Sequence, residues 1–80
     1  MYTVYVLKSQ STAKRYVGQT ADLVKRVAEH NSGLSKYTKG RGPWKLIYKE
    51  HYKTRSEAMV REKFLKSGKG RGLLDKINAQ

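Results

Sequence analysis

The stretch RYVGQTADLVKRVAEHN, residues 15–31, gathers three side chains that can do chemistry. Tyr16 stands in a short strand-like run. Arg26 and His30 follow on a helical pattern, four apart and therefore on one face. The apolar stripe of that helix is read as Leu23, Val24, Val27 and Ala28, with Arg26 and His30 at its edge. A phenol, a guanidinium and an imidazole beside a core combine a fixed positive charge with two groups that exchange protons. Farther along, Glu62 lies four after Ala58 and three before Leu65, so it shares their seam on a second helix. An acid among apolar neighbours is costly unless it is paired or coordinates a cation. Lys66 at i+4, or Lys63 or Arg61, could pair it. A single hard cation such as Mg²⁺, still largely hydrated, could equally be held there. A two-metal site would want more acids than this sequence offers.

The other five acids have simpler positions. Asp22 and Glu57 suit helix N-termini, Glu29 suits an exposed helix face, Glu50 falls in a strand, and Asp75 lies near the C-terminus. Against these six acids stand 18 Lys and Arg, a formal charge of +12. That balance costs stability by self-repulsion and favours an anionic partner. Nucleic acid fits best, because phosphate neutralisation and counterion release reward such a surface. A membrane partner is not expected. There is no apolar run near 18 residues, no signal-peptide core and no polybasic amphipathic helix with an aromatic face. Nothing in the sequence points to a protein partner, and the chain is expected in the cytoplasm.

Residues 1–80 are read as one domain near the small end of what folds alone. Without cysteine, neither a disulfide nor a thiolate zinc site can stabilise it. The core must do so, and six tyrosines against one phenylalanine imply hydroxyls that need partners.

The elements that position these residues follow from pattern. YTVYVLK, residues 2–8, and RYVGQT, residues 15–20, read as strands joined as a hairpin. Thr20 or Asp22 can cap the helix to about Asn31, and Gly33 suits its end. WKLIYKEHY, residues 44–52, is a third strand. Thr54 and Glu57 have capping-box spacing before a helix to about Lys66. SGKGRG is expected to break that helix, and LLDKINA to form a short last one. The order β-β-α-β-α-α predicts an α+β (α/β) fold: a small three-stranded antiparallel sheet flanked by helices.

These residues converge on a known pattern. TVY at residues 3–5 and YVG at residues 16–18 resemble the paired signature of the GIY-YIG nuclease superfamily. The resemblance continues through Arg26, His30 one turn later, and Glu62 within EAMVREKFLK. It includes Tyr37-Thr38 and PWKLIY at residues 43–48, a combination similar to small single-domain bacterial members related to the nuclease domain of the excision-repair incision subunit. The sequence departs from the pattern in two places. The first motif lacks its leading glycine, and Gln19 stands where the repair-subunit relatives tend to have lysine. Some relatives use an asparagine after the glutamate, for which Asn78 is the downstream candidate.

The resemblance implies metal-dependent hydrolysis of nucleic-acid phosphodiester bonds, with DNA the expected substrate and a role in repair or recombination. Tyr5, Tyr16, Arg26, His30 and Glu62 would be the catalytic residues, with Glu62 holding one Mg²⁺ or Mn²⁺ ion. Tyr5 or Tyr16 would accept the water's proton, given positive charge from Arg26 or Lys25 to lower a pKa near 10. Arg26 suits phosphate oxygens, and His30 could orient a tyrosine or relay a proton. Taken singly, Tyr5 and Tyr16 also read as core residues, and Arg26 and His30 as ordinary helix charges. Nucleic-acid contacts are expected from Gln19 and Lys25, from the loop carrying Lys36, Tyr37, Lys39 and Arg41, and from a second basic loop with Lys69 and Arg71. None has the character of base-edge readout, so little sequence specificity is expected. The alternative is a nucleic-acid-binding module that keeps the fold with weak or no chemistry.

Overall fold

The β-branched and aromatic run at the start of the chain forms β1 (Tyr2–Ser9), the middle strand of a three-stranded sheet. The structure, a computed structural model, describes residues 1–33, 40 and 42–78. β2 (Arg15–Thr20) and β3 (Trp44–Tyr52) both pair antiparallel with β1, giving the order β2-β1-β3. The hairpin between β1 and β2 is closed by Ser9, whose Oγ accepts from the backbone N–H groups of Ser11 and Thr12 at 3.2 and 3.0 Å. Three helices complete the expected order: α1 (Leu23–Ser32), α2 (Arg55–Lys66) and α3 (Gly68–Asn78).

Because β1 is central, both of its faces are covered, and its alternation sorts side chains between two cores. Val4 and Val6 join Val17, Ala58, Leu65 and Leu74 under α2 and α3. Tyr5 and Leu7 join Trp44 under α1, with Tyr16, Leu23, Val27 and Leu46 against them. The sheet is thus sandwiched between α1 on one side and the α2–α3 pair on the other.

Local capping follows the sequence. Asp22 accepts from the Lys25 N–H at 3.1 Å to start α1, and Gly33, at φ 82°, ends it. Thr54 accepts from the Glu57 N–H at 3.2 Å to start α2. Asn31 then fastens α1 to β3, donating to the Trp44 carbonyl at 3.2 Å and accepting from the Trp44 N–H at 2.7 Å.

Two expectations are corrected. Val24 is 83% exposed and Ala28 is exposed too. α1 turns the expected Leu23 and Val27 inward, and His30 with them in place of Val24 and Ala28, with Arg26 partly covered beside them. This i, i+4, i+7 row lets His30 fill space beside the tyrosine rings of the sheet. The second correction is the basic glycine run. Only Ser67 interrupts the helices, and residues 68–72 form the beginning of α3. Ser67 Oγ accepts from the Gly70 N–H at 3.3 Å, and its carbonyl accepts from the Arg71 N–H at 2.9 Å. At Gly70 an added Cβ would lie 2.1 Å from the Phe64 carbonyl oxygen and 2.4 Å from Leu65 Cα. The glycine is there for the close crossing of α3 over the end of α2, not for a loop. Lys69 and Arg71 therefore sit on the first turn of a helix. Lys36, Tyr37, Lys39 and Arg41 lie outside the described residues.

Candidate active site

The site is built where the edge strand β2 meets α1. Register places Gly18 opposite Tyr5 and Tyr16 opposite Leu7, so both tyrosines project toward α1. Gly18 has a steric role at this point. A Cβ there would stand 2.5 Å from the Tyr5 hydroxyl and 3.1 Å from Tyr16 Cε1, so glycine opens the space in which Tyr5 lies across β2. From α1, His30 enters the same space and Arg26 approaches one turn earlier.

The three rings form one cluster. Ring centroids are 4.6 Å apart for Tyr16 and His30, 5.9 Å for Tyr5 and His30, and 6.2 Å for the two tyrosines. The Tyr5 hydroxyl and His30 Nε2 share a hydrogen bond of 2.9 Å. Both residues are 1% exposed, whereas Tyr16 is only partly buried.

Burial and charge fix the protonation states. Burial pushes Tyr5 up to about 12, against the opposing pull of Arg26, with the Tyr16 and Glu62 charges adding to the rise. His30 is lowered from 6.5 by burial and by the Arg26 charge, more than Glu29 offsets. A neutral imidazole therefore faces a neutral phenol near pH 7. Hydrogen bonding with Tyr5 raises the Arg26 guanidinium above its ordinary value despite burial, and Tyr16 and Glu29 add to the rise. Arg26 also contacts Glu29 at 3.5 Å, so that acid is not free on an exposed face as expected. The arrangement can hold an anion on Arg26 beside a partly exposed phenol, with a buried Tyr5–His30 pair behind it.

Glu62 projects from the other side of the sheet. It lies in the expected seam between the buried Ala58 and Leu65, is 25% exposed and accepts from Lys66 at 3.0 Å. The i+4 pairing considered from the sequence is thus formed. No cluster of three His, Cys, Asp or Glu occurs among the described residues. One carboxylate as donor set suits a hard cation that keeps most of its water, so Glu62 fits a single Mg²⁺ or Mn²⁺ ion and no richer centre. Gln19 shares the sheet face of Val4, and its Oε1 is buried with no hydrogen-bond partner among the described residues. Lys25 is exposed on α1.

Glu50, which by its place in β3 is expected to be an ordinary strand residue, is more enclosed than Glu62. Glu50 is 17% exposed and receives a two-pronged contact from Arg61, at 2.9 and 3.0 Å, plus the hydroxyls of Tyr48 and Tyr52. Burial alone would raise its carboxyl. The hydrogen bonds from Arg61, Tyr48 and Tyr52 outweigh that and hold it below the ordinary glutamate value. This network pins α2 to β3, and it takes Arg61 rather than leaving it for Glu62. The alternation Tyr48-x-Glu50-x-Tyr52 on one strand face was the available signal.

Residues 1–78 match the family model described as the GIY-YIG catalytic domain. The chain is 45% identical over 67 residues to the UPF0213 protein CPE1444 of Clostridium perfringens, covering 82% of this chain and 71% of that protein. It is 48% identical over 63 residues to the UPF0213 protein VNG_2274C of Halobacterium salinarum, covering 78% of this chain and 80% of that protein. Its fold is similar to the solution NMR structure of the UPF0213 protein BH0048 from Bacillus halodurans. There the TM-score is 0.58 with 33% identity, over 96% of this chain and 85% of the other.

Proposed function

The chain belongs to the GIY-YIG family, and from that premise we propose that it is an endonuclease hydrolysing phosphodiester bonds of DNA with little sequence specificity. The observation that carries this reading is the convergence of Tyr5, Tyr16, His30 and Arg26 at the β2 edge, with the rings within 6.2 Å of one another. Such an edge admits a backbone phosphate without requiring access to the core.

In this reading Arg26 binds the non-bridging oxygens of the reacting phosphate and stabilises charge as it develops there. Tyr16, the tyrosine with an exposed part, meets the attacking water and, as the phenolate left once its own proton has passed to solvent, takes that water's proton beside the Arg26 cation. Tyr5, enclosed and held near 12, is unsuited to that step in the free protein. Its bond to His30 instead fixes the imidazole against the Tyr16 ring and offers a relay for the proton. Glu62 would hold one Mg²⁺ or Mn²⁺ ion, whose chemistry is stabilisation of negative charge on the leaving oxygen. The +12 charge supplies non-specific attraction to the backbone. A cytoplasmic role in DNA repair or recombination would use these properties.

A second reading, a binding module with weak chemistry, draws on one observation: Glu62 is occupied by Lys66. One experiment separates the two. The chain is incubated with branched, damaged, single-stranded and duplex DNA and with RNA, in magnesium and in chelator. Nicking of DNA in magnesium alone supports the endonuclease. Binding of every substrate with no cleavage under either condition supports the module.

A further inference from the structure

Beyond the β2 edge, the start of β2 and the helices α2 and α3 enclose a cleft of about 800 Å³. Lys14, Arg15, Lys66 and Arg71 line it, and Asp75 is the one acid among its lining residues. Asp75 is taken up by Arg15 at 2.8 Å, and Lys66 bonds Glu62 at 3.0 Å. Neither Lys14 nor Arg71 makes an ion pair with another described residue. With Arg15 and Lys66 already paired, Lys14 and Arg71 stand in the shared recess as two cations without an acid partner among the described residues, a cost that an anionic occupant removes. Tyr16 also lines the cleft. The Tyr16 ring turns to the α1 face of β2, so an occupant of the cleft meets the edge of that strand and has to pass around it to reach the Tyr16 hydroxyl.

We propose that this cleft is a second phosphate subsite, which carries the nucleic-acid backbone past the reacting position. The inference rests on the endonuclease reading and extends it to the path of the strand. A small anion would satisfy the cations but not the continuity with Tyr16. A polymer of phosphates satisfies both. Arg71 owes its place on the wall to the helical form of residues 68–72, with Gly70 drawing α3 against the end of α2.

The test is equilibrium binding of a short fluorescent DNA to the whole chain in chelator, over a series of salt concentrations. Lys14→Gln/Arg71→Gln is compared with Lys53→Gln/Lys63→Gln, which removes equal charge from exposed positions outside the cleft. The cleft pair is expected to weaken binding about tenfold or more and to lower the salt slope by about two, one for each lost phosphate contact. The control pair keeps the parental slope. Equal weakening by the two pairs, or parental binding by the cleft pair, overturns the subsite. If the double variant unfolds, each single glutamine variant should lower the slope by about one, and an unchanged slope overturns the subsite in the same way. Cleavage of the same DNA by the parent in magnesium separates the two readings. A parent that cuts while the cleft pair binds normally removes the subsite alone. A parent that neither binds nor cuts removes both.

Discussion

The hydroxyl of Tyr5 meets His30 Nε2 at 2.9 Å with both side chains 1% exposed. A residue of the central strand and one near the end of α1, 25 positions apart, are thereby locked together behind the site. Tyr16 lies in front of that pair, its ring centroid 4.6 Å from that of His30.

The two tyrosines should separate by experiment. Tyr5→Phe removes the buried hydrogen bond between the Tyr5 hydroxyl and His30 Nε2 and is expected to cost about 1 kcal/mol in stability, the worth of one such bond. Tyr16→Phe removes a hydroxyl at the edge and should leave stability and binding near the parent. Its single-turnover cleavage should fall by about 10²–10⁴-fold. The double variant should cut little worse than the slower single one, because a base and its orienting group act as a unit. Parental cleavage by Tyr16→Phe, beside an inactive Arg26→Ala, would remove Tyr16 as the proton acceptor.

Opposite effects are expected at the two ends of the Glu62–Lys66 pair. Glu62→Gln should abolish magnesium-dependent cleavage while shifting stability by no more than about 0.5 kcal/mol, the usual worth of an i,i+4 pair. Lys66→Met removes a competing cation at contact distance, worth about 1 kcal/mol in water. Mn²⁺ binding to the free protein, followed by electron paramagnetic resonance, should tighten about fivefold. Unchanged Mn²⁺ affinity in both variants would exclude Glu62 as the ligand.

Gly18→Ala should be damaging out of proportion to one methyl group. Its Cβ would fall 2.5 Å from the Tyr5 hydroxyl, and Tyr5 has no open space to retreat into. A loss of about 1–3 kcal/mol is expected, as for other overpacked sites, together with slower cleavage. Gly72→Ala, on a helix with nothing within 4 Å of the new Cβ, should instead add about 0.5–1 kcal/mol. Thermal and urea unfolding of the two variants measure the contrast.

Stability should fall in acid in two stages. His30 has a folded-state pKa below 6.5, so the unfolded chain binds the proton first as pH drops. Its contribution is whole above about pH 6.5 and is lost below it, down to the folded value. Glu50, lowered from 4.5, contributes above its unfolded value and loses that contribution as pH falls through the folded one. Melting temperature should therefore begin to fall as pH drops through 6.5 and fall again below 4.5. His30→Gln should flatten the first stage only. An identical profile in that variant would show that another group governs it.

Much of this molecule was written in local pattern. The three strands, the caps at Asp22 and Thr54, the stop at Gly33 and the seam of Ala58, Glu62 and Leu65 depend on near neighbours, so alternation and spacing reveal them. The set Tyr5, Tyr16, Arg26, His30 and Glu62 came from resemblance to the GIY-YIG pattern, which needs only the order of residues along the chain. What each does to another was not legible in that order. Periodicity favoured Val24 and Ala28 as inward residues of α1, and the sheet drew in His30, because only the assembled Tyr5 and Tyr16 rings create its niche. Glycines 68, 70 and 72 argued locally for a loop. Packing against Phe64 and Leu65 made a helix, since the absent Cβ at Gly70 matters only once α2 lies against it. The pairing of Arg61 with Glu50 spans 11 residues and two elements. Local pattern sets which side chains are available and which of them share a face of one element; which face turns inward is decided by what packs against it. Distances between elements, and the burial that sets the charge of Tyr5 and His30, arise only when those faces close on one another.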